Sequence, residues 1–342
     1  MLDSNIMDLF GKEFKNDVKV SRISEDIRGK AIVIYGGNNL GKSLQASRLP
    51  NPVFMPCEKG LNAINGAMVL KTTCWADLER NGRKLTSRNF VEALDKGAQI
   101  TLIIDGFENI GKYCKAMLCQ KYKVPTIGKA NDGFGCWEEY ENLVWGFVDN
   151  LLGVGYTVVF IGHESWDGKK KKFLISGDER NIKPIRDNAD IVCYLESNGL
   201  DENGKPIHSS AYLAESKDFF ARTRFSYMDT YIEDFTAENL VSTIVEGIKR
   251  QNKAEGFDNV DFKEQQDIYK EEKVDFKDVI ETIKGQYDQL LDKDDDSHAL
   301  EDFFLDTVEK YLGDIPVSEA TETQLESLIC IKNNLEEKLE TI

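Results

Sequence analysis

Residues 36–43, Gly36-Gly37-Asn38-Asn39-Leu40-Gly41-Lys42-Ser43, constrain this chain more than any other segment. They follow an unbroken apolar run at 31–35 and precede a helix-like stretch, the setting a phosphate-binding loop requires. The glycines let the backbone curl until its N–H groups converge on phosphate oxygens, and the following helix adds its positive end. Lys42 is expected to reach the β- and γ-phosphates, and Ser43 to ligate Mg²⁺ through its hydroxyl. The nucleotide contacts expected on this loop are Gly36, Gly37, Asn38, Asn39, Leu40, Gly41, Lys42, Ser43 and Leu44. A phosphate-free glycine turn is the plain alternative, and it leaves the flanking strand and helix patterns unexplained.

Other short apolar runs lie at 53–55, 101–104, 157–161, 191–195 and 211–214, with helix-like stretches between them. That alternation predicts an α/β fold: a mainly parallel sheet, buried on both faces and flanked by helices. One such helix is expected over 137–152, where Tyr140, Leu143, Val144, Phe147, Val148, Leu151 and Leu152 recur at three- and four-residue spacing. Strand 101–104 ends in Asp105, which can hold a water on the metal; with Ser43 it forms the expected Mg²⁺ site. No acidic residue directly follows Asp105, and Glu108 comes three positions later. The RecA-like branch of phosphate-loop proteins instead carries its general base after the next strand, and here Glu58 ends the run 53–57. His163 follows strand 157–161, a place for a polar side chain that senses the γ-phosphate.

Beyond His163 the sequence predicts a long polar loop over 164–187, with Lys169, Lys170, Lys171 and Lys172 as candidate contacts to a nucleic-acid backbone. Trp166 and Phe173 could stack on bases; a solvated lysine run is the alternative. Arg222 and Arg224 follow the last strand-like run and are candidates to act across a subunit boundary on a neighbour's γ-phosphate. That role implies a homo-oligomer, and structural salt bridges are its alternative.

The formal net charge of −17 argues against a nucleic-acid partner until its distribution is read. Residues 249–342 hold 26 Asp and Glu against 12 Lys and Arg, so the first 248 residues are near neutral. The expected organisation is an N-terminal segment (1–27), a RecA-like core (28–248), a linker (249–274) and an acidic helical module (275–342). Within the module, helices are expected over 275–291, 300–312 and 323–339, with an acidic run at 292–296. A hydrophobic content of 41% excludes wholesale disorder. Seven scattered cysteines without a CxxC pair, and only three histidines, exclude a structural zinc site and point to a reducing, cytoplasmic setting. No run of 18 apolar residues exists, so no membrane partner is expected.

In combination, the phosphate loop, Glu58 with Lys59-Gly60-Leu61, the Asp105 strand, the helix opened by Trp137, Gly162-His163-Glu164 and Ala189-Asp190-Ile191-Val192 resemble a known family. It is that of the phage RecA-core nucleotide-binding proteins, AAA-type ATPase domains of the single-strand-annealing recombination group. The likeness covers roughly residues 30–233. It implies ATP as the nucleotide, single-stranded DNA as a partner, annealing or strand exchange as the activity, and a single-strand-binding protein alongside. Two other readings stay open: a helicase-like or replication-associated motor, and a nucleotide-dependent switch that recruits a protein without DNA.

Overall fold

The computed structural model describes residues 4–14, 18–269, 275–294 and 298–342, which form two compact units, 1–269 and 270–342. In the first unit the strands are β1 (Ala31–Gly36), β2 (Pro52–Pro56), β3 (Met68–Val69), β4 (Thr101–Asp105) and β5 (Thr157–Asp167). They continue as β6 (Lys172–Ile175), β7 (Ile191–Glu196), β8 (Ser210–Tyr212), β9 (Arg222–Thr223) and β10 (Tyr231–Ile232). The sheet runs β10-β8-β7-β1-β5-β4-β2-β3, and the six strands from β7 to β3 are parallel. β8, β9 and β10 close one side in antiparallel pairings. One strand, β5, lies between the phosphate-loop strand and the Asp105 strand, so this is a RecA-like order.

The helices of this unit are α1 (Ser4–Glu13), α2 (Lys42–Ala46), α3 (Trp75–Leu85), α4 (Arg88–Asp95) and α5 (Glu108–Tyr122). They are followed by α6 (Trp137–Gly153), α7 (Glu179–Arg186), α8 (Ala237–Glu255) and α9 (Phe262–Gln266). The unbroken apolar strands have a simple cause. Ala31, Val33 and Tyr35 of β1 face a core built with α3 to α7, and Ile32 and Ile34 face a second core built with α2 and α8. Both faces are covered, so every residue of the strand is apolar. Helix α6 buries Tyr140, Val144, Val148 and Leu151 on the stripe expected of it.

Two sequence expectations need correction. Residues 164–187 are not a structureless loop. β5 continues to Asp167 and pairs antiparallel with β6, Glu164 opposite Ile175 and Asp167 opposite Lys172, and α7 follows. Asp167 Oδ1 accepts from the N–H groups of Lys169 (2.8 Å) and Lys170 (3.1 Å), which fixes the turn. Nor is the stretch from 249 a linker: α8 runs to Glu255 and ends on Gly256 in the left-handed conformation. Asp261 and Glu264 then form a capping box that starts α9, and Phe262 packs against the backbone at Gly29 and Gly155. Residues 270–274 of the expected linker, and Asp295 and Asp296 of the acidic run, lie outside the described residues.

In the second unit α10 (Phe276–Lys293), α11 (Ala299–Leu312) and α12 (Leu325–Thr341) enclose Val279, Ile283, Leu290, Leu312, Leu328, Ile331 and Leu335. Three helices occupy the places the apolar spacing assigned to them.

Candidate active site

Parallel register carries the chemistry-bearing residues to one edge of the sheet. Gly36 lies beside His163, and Asp105 lies beside Pro56, two residues before Glu58. The loop backbone needs its glycines where they stand. A Cβ on Gly36 would sit 2.7 Å from the Leu195 carbonyl oxygen, and Gly41 adopts a φ of 78°. Asn39 takes the left-handed conformation at φ 61°, which its short polar side chain tolerates. Ser209 Oγ donates to the Leu40 carbonyl (3.1 Å) and braces the loop from the β8 side. Asn38, Asn39 and Leu44 are exposed along it.

Lys42 is buried, and its Nζ donates to the carbonyls of Gly36 (3.1 Å) and Gly37 (2.5 Å). Burial lowers its pKa, against the pull of Asp105, Glu164 and Glu58. An ammonium so placed, ringed by carboxylates, meets anionic phosphate at little further desolvation cost. Ser43 Oγ donates to Asp105 Oδ2 at 2.9 Å. Burial raises the pKa of Asp105, while the Ser43 hydrogen bond, His163 and Lys42 oppose the rise. Among the described residues no group of three His, Cys, Asp or Glu could hold a metal alone. The hydroxyl–carboxylate pair therefore fits a magnesium ion that takes its remaining ligands from nucleotide and water.

Glu58 Oε1 lies 3.3 Å from His163 Nε2, and both side chains are about one-third exposed. The Glu58 carboxylate rests over Gly106, whose φ is 74°; a Cβ there would come within 2.6 Å of Glu58 Cγ. Two acidic residues join this edge without having been singled out as site residues. Glu164 Oε1 would lie 3.1 Å from a Cβ on Gly37, and its Oε2 accepts from Tyr194 OH at 2.8 Å. Glu108 opens α5 with a buried Oε2. The available signal for both was polarity just past the carboxyl end of a strand; their partners are tertiary.

The structure does not bring the arginines to this edge. Arg222 pairs with Val192 near the start of β7, whereas Gly36 pairs with Leu195 near its end. Arg222 Nη2 donates to the carbonyls of Asp187 and Ala189, each at 2.7 Å. Within the chain, that arrangement makes Arg222 a structural tie between β9 and the turn before β7. Arg224 is half-exposed and pairs with Asp190 (3.4 Å), whose other oxygen accepts from the Ala31 N–H. The lysines occupy the β5–β6 hairpin tip. Lys169, Lys170 and Lys171 are exposed, and Lys172 is held by Glu215 (2.5 Å). Trp166 is exposed, but Phe173 packs edge-on to it and stacks on Tyr194, so its ring is not free for a base.

Residues 28–225, more than half of the chain, match the AAA domain family. The chain belongs to that family. The AAA domain thus spans the phosphate loop, Glu58, Asp105, His163 and the hairpin. A relative in Bacillus subtilis (strain 168), described as an SPbeta prophage-derived uncharacterized protein YorG, is 41% identical over 322 residues, covering 94% of this chain and 97% of its own. Among solved structures, a prototypical ATPase from the type III secretion system of pathogenic bacteria superposes with a TM-score of 0.36 at 11% identity, over 92% of this chain and 86% of that one. No described helix of this AAA-domain protein is long and apolar enough to cross a membrane.

Proposed function

We propose that the protein binds ATP with magnesium, hydrolyses it, and couples hydrolysis to single-stranded DNA held on the β5–β6 hairpin. The observation that carries the reading is the convergence of Lys42, the Ser43–Asp105 pair and the Glu58–His163 pair at the carboxyl ends of adjacent strands. A bound magnesium would draw negative charge from the phosphate oxygens, with Ser43 and Asp105 as the residues to hold it. Lys42 exchanges its own loop carbonyls for phosphate oxygens. Glu58 takes a proton from the attacking water, and His163 fixes the Glu58 carboxylate.

His163 also supports the coupling to DNA. It lies on the same strand as Trp166 and only a few residues before Lys169, Lys170 and Lys171. A shift in the Glu58–His163 pair on γ-phosphate loss would thus be passed along β5 to the hairpin. Exposed lysines beside an exposed indole suit a phosphate backbone and a stacked base.

The test is ATP turnover with and without single-stranded DNA, in the unaltered protein and in Lys42→Ala and Glu58→Gln. Turnover stimulated by DNA and reduced at least about 100-fold in both variants is the expected result. Turnover indifferent to DNA would return the hairpin lysines to a solvated surface and leave the protein-recruiting switch as the better reading.

A further inference from the structure

The Asp105 strand leads through Gly106 and Phe107 straight into α5, and the first turn of that helix is fastened on two sides. Asn109 Nδ2 and Tyr113 OH both donate to the carbonyl of Cys57, each at 3.2 Å, which ties α5 to the residue preceding Glu58. On the other side Asn181 Nδ2 donates to the Glu108 carbonyl (3.4 Å), and Gly177 leaves room beside Glu108 Cβ. Glu58 and Glu108 are therefore held in register by backbone contacts, without a direct bond between their side chains.

Glu108 is out of place for a structural residue. Its Oε2 is buried and has no hydrogen-bond partner among the described residues, an unfavourable arrangement for a charged group. Glu108 follows by two residues Gly106, over which the Glu58 carboxylate rests, so both acidic residues lie at the same edge of the sheet. Burial raises its pKa, and the neighbouring Glu58 charge adds to the rise. Nothing in the hydrolytic reading above uses it.

The chemistry of the nucleophile supplies a use. A water that attacks phosphorus must aim a lone pair along the line of displacement. Both of its O–H bonds then point away and need separate acceptors. Glu58 provides one. We propose that the Glu108 carboxylate, on a side chain that is only partly buried, is the other acceptor, so that two carboxylates from different elements fix the attacking water. This inference rests on the hydrolytic reading. In the step, the water oxygen forms a bond to the γ-phosphorus and the bond to the β–γ bridging oxygen breaks. Its electron pair stays on ADP, and the proton held by Glu58 passes to the released phosphate or to solvent. Glu108 keeps its hydrogen bond to the second O–H and takes no proton.

The deciding variant is Glu108→Gln, which keeps the shape but can turn an N–H₂ group toward the water. Turnover, ADP affinity and affinity for ADP with aluminium fluoride, which mimics the phosphoryl group in flight, are measured together with thermal stability. The expected result is a fall in kcat on the order of 100-fold with ADP affinity within about twofold. Affinity for the aluminium fluoride complex falls about tenfold or more. Glu108→Asp retains an acceptor and keeps more turnover than the Gln variant. The double variant with Glu58→Gln is little worse than Glu58→Gln alone, because the two act on one water.

Turnover within twofold of the unaltered protein overturns the role. So does equal weakening of ADP and of its aluminium fluoride complex, which marks a purely structural defect. Loss in Glu58→Gln with none in Glu108→Gln sinks this inference and leaves hydrolysis standing. Absence of turnover in the unaltered protein overturns both.

Discussion

At the scale of single residues, the site depends on positions where a side chain is missing as much as on those where one is present. Gly106 combines a φ of 74° with a Cβ position 2.6 Å from Glu58 Cγ, so only glycine lets the Glu58 carboxylate lie where it does. Gly106→Ala is expected to strain the turn and displace Glu58 away from His163. Turnover should fall about 100-fold, the cost of moving a reacting group by an ångström. ADP binding, which relies on the phosphate loop, should change little. Measuring kcat beside ADP affinity checks this; a parallel loss of both would mean that the turn supports the whole site and not Glu58 in particular. The same economy explains Lys42, whose bonds to its own loop carbonyls keep a buried ammonium satisfied until phosphate replaces them.

At the scale of elements, α9 is a short helix with a large effect. Phe262 is 7% exposed, and a Cβ on Gly29 would overlap its ring. Arg28 lies over the same ring at 5.7 Å. Phe262→Ala should therefore destabilise the first unit by about 3–5 kcal/mol in denaturant unfolding. Turnover per folded molecule should stay intact, since no site residue touches the ring; a loss below about 1 kcal/mol would return this segment to a linker.

The sequence left α9 unseen because its packing depends on two distant glycines, whereas β1, β4, β5 and α6 were legible from apolar spacing alone. The β5–β6 hairpin was missed for a related reason: Glu164, Trp166, Lys172 and Phe173 do not alternate by polarity, and pairing is fixed by Asp167 capping the turn. Of the site, the residues ending apolar strands could be read directly. Glu108 and Glu164 could not, since their significance lies in a missing donor and in a tyrosine 30 residues away.

At the scale of the whole molecule, charge is divided more sharply than the fold. Residues 270–342 carry 21 Asp and Glu against 8 Lys and Arg, and residues 1–269 carry 39 against 35. Each is a compact unit with its own apolar core, so the first is expected to fold without the second. On the proposed reading, DNA approaching the hairpin lysines would meet the field of the entire chain, and most of the net negative charge resides in the second unit. Removing residues 270–342 should therefore tighten single-stranded DNA binding several-fold at low ionic strength, by lowering a repulsion that has no bearing on the lysines themselves. The gain should shrink as salt rises to 0.15 M, where the screening length is about 8 Å. Titrating labelled oligonucleotide against both forms at two salt concentrations measures it. Equal or weaker binding by the shortened chain would mean that the acidic module contributes to the DNA complex; a gain that ignores salt would point to a steric cause. With salt dependence and hairpin lysine substitutions in hand, the attraction of the tip and the repulsion of the acidic module become separable terms of one affinity.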